Sequence, residues 1–147
     1  MSKNPQNARM LGALLRIPFQ AIVTRIDEGL RARGFSDLRP AHFVIFQQIR
    51  PEGSRITELA ERAQITKQSM GALVDYVEAR GYIERLPDPE DGRAKIVRLT
   101  PKGRELEAAA RAILSQIEVE WAQQIGKDRM QALKQALQAI ITLIEMD

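Results

Sequence analysis

Between Thr66 and Leu99 an amphipathic run passes without a linker into a charged hairpin, and this junction restricts the fold more than any other stretch. Met70, Leu73, Val74 and Val77 stand at i, i+3, i+4 and i+7, a single apolar stripe on a helix. At about 100° per residue, Gln68, Ala72, Asp75 and Ala79 fall on the opposite side, with Lys67 and Gly71 on one flank and Ser69 and Tyr76 on the other. That outer side is short, and it is polar near its N-terminal end. Such a face suits close approach to another surface, with the major groove of DNA as the leading candidate.

Gly81 supplies the helix stop, since it takes positive φ without strain. Tyr82, Ile83 and Leu86, then Ile96, Val97 and Leu99, are strand-type runs, and the turn between them is expected to contain Pro87, Pro89 and Gly92. A tip carrying Asp88, Glu90, Asp91, Arg93 and Lys95 is too polar for a core. Its acidic groups repel phosphate, so Arg93 and Lys95 are the binding candidates and Asp91 is expected to brace Arg93.

The flanking chain reads as helices. Residues 1–7 are expected to fray. From Ala8 to Gly34, Leu11, Leu14, Leu15, Ile22, Ile26 and Leu30 recur at helical spacing, with a kink or short break expected near Ile17 because Pro18 removes a backbone donor. Pro40 opens a second helix that runs to Arg50. Ser54–Ile56 reads as a short strand pairing with the hairpin, and Thr57 as the N-cap of a helix with Leu59, Ala60 and Ala63 inward. Gln64–Ile65–Thr66 is the turn, and Thr66 caps the central helix. Thr100–Pro101 starts a long helix to about Ile125, Gly126–Lys127–Asp128 interrupts it, and Met130 to Ile144 form the last.

Composition narrows the function classes. A chain of 147 residues with 44% apolar and 28% charged residues suits one globular domain. The net charge of +3 is a weak pointer to nucleic acid by itself. Cysteine is absent, which removes disulfides and thiolate chemistry. No apolar run reaches the length of a membrane span, and residues 1–9 lack the apolar core of a signal peptide, so no membrane partner and a cytoplasmic location are expected. With one histidine, no glycine-rich phosphate loop and no nucleophile elbow, an enzyme is not expected. No cofactor is expected, and no residue cluster has the spacing of metal ligands.

Taken with the preceding helix and turn, the segment DPEDGRAKIVRLTPKGREL resembles the wing of the MarR family of winged helix-turn-helix transcription regulators. Asp91-x-Arg93, Leu99-Thr100 and Lys102-Gly103 carry the likeness, and the helix order extends it over nearly the whole chain. The resemblance implies a mainly α fold with a small β wing. It implies a single domain over 1–147, with dimerisation helices at 8–34 and 101–146 around a DNA-binding region at 38–100. It further implies a homodimer on an inverted-repeat duplex, acting as a repressor released by a small anionic or phenolic ligand.

In a helix-turn-helix the second helix enters the groove with its N-terminal residues at the base edges. Thr66, Lys67, Gln68, Ser69, Gly71 and Ala72 therefore form the expected reading face, with Gln68 able to pair bidentately with adenine. Relatives often have Thr and Arg where this chain has Gly71 and Ala72, so its operator cannot be borrowed from theirs. Arg93 is expected in the minor groove beside Asp91 and Lys95, and Arg55 and Arg62 are expected on phosphates. Asp75, on the outer face, is expected to pair with a basic side chain. Met10, Leu14, Phe19, His42 and Phe46 are nominated for an effector pocket. The competing reading is a winged-helix protein-interaction module that does not read DNA.

Overall fold

The computed structural model describes residues 8–147, and the fraying expected of residues 1–7 lies outside them. Six helices and one hairpin follow in order: α1 (Leu11–Ala32), a 3-10 turn (Pro40–His42), α2 (Phe43–Gln48), α3 (Ile56–Ala63), α4 (Lys67–Ala79), β1 (Ile83–Asp88), β2 (Asp91–Leu99), α5 (Pro101–Ile125) and α6 (Lys127–Glu145). The mainly α, winged helix-turn-helix architecture expected from the sequence is present. The chain forms two compact units, residues 1–110 and 111–147.

In the first unit the core gathers the inner faces of every short element. Leu30, Leu38, Ile45, Leu59, Met70, Val74, Val77, Tyr82, Ile83, Val97 and Leu106 are all essentially removed from solvent. The stripe on α4 is thus the floor of that helix, with Leu73 half-buried beside it. Removing each such side chain from water contributes roughly 1.5–3 kcal/mol, which is what holds short helices that would not persist alone.

Local signals set most boundaries. Gly34 takes φ 91° and closes α1, with the Phe35 amide donating to the Leu30 carbonyl. Gly81 does the same for α4 at φ 83°, followed by the Tyr82 amide on the Val77 carbonyl. Gln64 closes α3 in the left-handed region at φ 56°. Thr66 caps α4 by accepting the Ser69 amide at 3.0 Å, and Thr100 caps α5 by accepting the Gly103 amide at 3.2 Å.

Four expectations need correction. The helical backbone of α1 continues through Pro18 without a break. Proline deletes one donor of the ladder, and the Arg16 guanidinium donates to the Gln20 side chain across the same turn. Thr57 is not an N-cap but the second residue of α3; the cap is Arg55, whose amide donates to the Glu58 carboxylate at 2.9 Å. The strand expected over Ser54–Ile56 reduces to one bridge between Ser54 and Val97, because Arg55 and Ile56 are already committed to α3. Finally, Pro87 and Gly92 lie inside the strands. Asp88 faces Asp91 across a loop of only Pro89 and Glu90, with the register irregular between Pro87 and Asp88.

In the second unit Ile113, Ile117 and Met130 are the buried apolar residues, and Gly126 at φ 101° alone separates α5 from α6. Lys134 reaches Glu118 at 3.3 Å. Apolar side chains left exposed include Met10 at the N-cap of α1, Leu11, Leu14, Leu15 and Phe19 along it, and Ile140, Ile141, Leu143 and Ile144 on α6. No described helix is long and apolar enough to cross a membrane.

Candidate nucleic-acid interface

The outward side of α4 is as short as its sequence implies: Lys67, Gln68, Ser69, Ala72, Asp75 and Ala79 are exposed. A Cβ added at Gly71 would meet nothing within 4 Å. Packing therefore does not require this glycine, although it costs the helix about 1 kcal/mol against alanine. Its consequence is an open, low patch next to Lys67 and Gln68. Thr66 and Ser69 are engaged with each other, the Thr66 hydroxyl donating to Ser69 Oγ at 2.8 Å.

Helix α4 is hung from the segment that follows α1. The Tyr76 hydroxyl donates to the Asp37 carbonyl at 2.9 Å, and the Tyr82 hydroxyl donates to the Asp37 carboxylate. Burial first, then Asp37, holds the Tyr82 phenol protonated far above its ordinary range. Lys102 lies 3.9 Å from the same carboxylate, sits over the Tyr82 ring and donates to the Arg80 carbonyl at the end of α4. The Tyr76 ring carries His42 stacked at 4.2 Å and the Arg80 guanidinium over it.

His42 is buried, and its Nδ1 accepts the Arg39 amide at 2.9 Å. Burial, with the positive charges of Arg80 and Arg39 beside it, holds the imidazole below its usual 6.5. The unfolded chain therefore takes up the proton first as pH falls. Its contribution to stability is complete above 6.5 and declines below it. Urea denaturation of the parent chain is expected to show a midpoint that drops from about pH 7.5 to about pH 5.5, and His42→Gln should flatten that dependence.

On the wing, Arg93 and Lys95 are exposed, and neither side chain has a hydrogen-bond or ion-pair partner among the described residues. Asp91 braces the Arg93 backbone, accepting its amide at 3.1 Å. Asp75 is paired: its carboxylate takes Arg85 of β1 at 2.5 Å, and Arg85 also lies 3.7 Å from Glu78. That pair ties the wing to the outer side of α4 and removes a bare negative charge from it. Arg98 is matched by Glu84 across the strands at 3.1 Å.

The two remaining arginine candidates are already partnered, Arg62 within the fold and Arg55 at a partly exposed position. Arg62 donates to the Gln48 carbonyl at 2.7 Å and to Ser54 Oγ, and meets Glu58 at 3.2 Å. Arg55 is held by Asp88 at 2.6 Å. The pairings of Asp88, Asp37, Tyr76 and Tyr82 are not legible in the sequence, because the partners lie 33 to 45 positions apart and leave no local pattern.

The five effector-pocket residues divide. Met10, Leu14 and Phe19 are exposed along α1, whereas His42 is packed on Tyr76 and Phe46 is edge-on to the Tyr82 ring at 6.2 Å. Among the described residues no group of acidic or histidine side chains is arranged to hold a metal ion.

Comparison with known proteins places this arrangement. The MarR family model matches residues 36–94. An uncharacterized HTH-type transcriptional regulator of Mycobacterium leprae is 31% identical over 87 residues, 59% of this chain. The aligned part spans 61% of that regulator's length. The transcriptional repressor CouR, solved on a 23-mer DNA duplex, is 26% identical with a TM-score of 0.74, covering 96% of this chain and 99% of its own. CouR of Rhodococcus jostii RHA1 bound to p-coumaroyl-CoA superposes with a TM-score of 0.71 at 23% identity, over 95% of each chain.

Proposed function

We propose that this chain, which belongs to the MarR family of transcription regulators, is a homodimeric repressor that reads an inverted-repeat duplex and is released by a small anionic or phenolic ligand. One observation carries the DNA half: the Asp75–Arg85 pair ties the exposed face of α4 to the wing that bears the exposed, unpartnered Arg93. In this reading Lys67, Gln68 and Ser69 meet the major groove and Arg93 the adjacent minor groove, with the partial positive charge at the start of α4 drawing phosphate. Two-fold symmetry sets two such helices about 34 Å apart on consecutive major grooves. Support for a ligand comes from CouR, which binds p-coumaroyl-CoA on the same fold. The regulator acts in the cytoplasm, where the duplex is.

Selection of duplexes from a random pool by the purified chain tests the reading. Recovery of inverted repeats with half-sites one helical turn apart supports it, and indifference to every duplex sinks it. On a selected duplex, log K against log salt should fall steeply, and Arg93→Ala should make the slope shallower by about 0.9 per wing. An unchanged slope would remove the wing from the interface.

A further inference from the structure

Asp88 is the one residue of the wing tip that turns inward. Pro87, Pro89 and Glu90 around it are exposed, whereas Asp88 is 9% exposed. Alternation along β1 puts Asp88 on the face of Leu86, whose cross-strand partner Ile96 lies against Gly53, and so turns it toward Arg55. Its Oδ1 accepts the Glu90 amide at 2.9 Å and closes the two-residue loop. Its Oδ2 accepts Arg55 Nε at 2.8 Å and Nη2 at 2.6 Å, 33 positions back at the N-cap of α3. The Glu90 amide first, then Arg55, hold the carboxyl below its usual range.

Next to Arg55, Ser54 exchanges both backbone hydrogen bonds with Val97 of β2, at 2.9 and 2.8 Å. Residues 54 and 55 thus fasten the wing twice, at mid-strand and at its tip. A two-stranded hairpin is marginal by itself, and a single fastening leaves it free to swing. The second fixes where the loop, and hence Arg93, points.

We propose that Arg55 and Asp88 are positioning residues for DNA binding, a latch that sets the wing tip so that Arg93 reaches the duplex. Arg55 acts through Asp88 and not on a phosphate. This rests on the DNA-binding reading above and refines it.

The sign of one substitution separates positioning from charge. Asp88→Asn removes a negative charge near phosphate, and on charge alone it tightens binding. Loss of positioning weakens it. Anisotropy titrations over a salt series on the selected duplex compare the parent, Asp88→Asn, Arg93→Ala and the double variant. The expected result is about tenfold weaker binding for Asp88→Asn, a slope shallower by the same amount as in Arg93→Ala, and a double variant no weaker than Arg93→Ala alone.

Arg55→Met, which leaves the Asp88–Glu90 turn intact, should reproduce the effect if Asp88→Asn proves poorly folded by thermal melting. Binding by Asp88→Asn as tight as the parent, while Arg93→Ala is weakened, overturns the latch and leaves the DNA reading standing. A parental slope in Arg93→Ala overturns the wing contact and the latch together. A further loss of slope when Arg55→Met is added to Asp88→Asn assigns Arg55 to phosphate and also overturns the latch.

Discussion

Gly103→Ala is expected to destabilise the chain by about 3 kcal/mol and to lower its melting temperature by about 10 °C. Gly103 sits in the first turn of α5, directly on the carbonyl of Tyr82. An added Cβ would fall on that oxygen, 3.1 Å from its carbon and 3.2 Å from Leu99 Cδ2. The oxygen already accepts the Thr100 amide at 3.0 Å, so neither partner is the loose end of a side chain. Relief requires α5 to lift from the base of the wing. Gly71→Ala is the control, since the same atom added there meets open space and should stabilise α4 by up to about 1 kcal/mol. Thermal melts of the two variants should move in opposite directions, and equal shifts would refute the packing argument.

The second large effect concerns assembly. Leu11 on α1 and Leu143 on α6 are 64% and 65% exposed in the single chain, among a run of other bare apolar residues. A monomer gains nothing from them, whereas a dimer that covers them gains roughly 1.5–3 kcal/mol for each fully buried side chain. Leu11→Glu and Leu143→Glu together should therefore leave the fold's thermal stability at high dilution unchanged while abolishing the proposed dimer in sedimentation equilibrium. Affinity for a two-half-site duplex should then fall by about 100-fold or more, because each half-site is bound independently. A variant that stays dimeric places the interface elsewhere.

Most of the reading region was legible because its signals are local. The stripe Met70, Val74 and Val77 is the floor of α4, Thr66 and Thr100 are caps, and Gly81 is the stop where the residue types place them. What the sequence did not reveal depends on distant partners. Arg55 and Arg62 are indistinguishable from solvated cations until α3 is packed against the segment before it and the wing. The partner of Asp88 lies 33 positions back, so its carboxylate reads in the sequence as one more charge on a polar tip. Pro18 does not break α1 although an interior proline costs about 3 kcal/mol, and the sequence does not show which helices absorb that cost.

Asp37 joins elements that chain order keeps apart. Its carbonyl holds Tyr76 of α4, its carboxylate holds Tyr82 at the foot of the wing, and Lys102 of α5 stands beside it. All three converge on a connector only a few residues beyond the end of α1. The arrangement works as a linkage with a common pivot: the attitude of α4 toward a duplex and the path of the chain leaving α1 are geared to each other. The chain leaving α1 and the helix α4 can shift against each other only by breaking or stretching the hydrogen bonds gathered at this one aspartate.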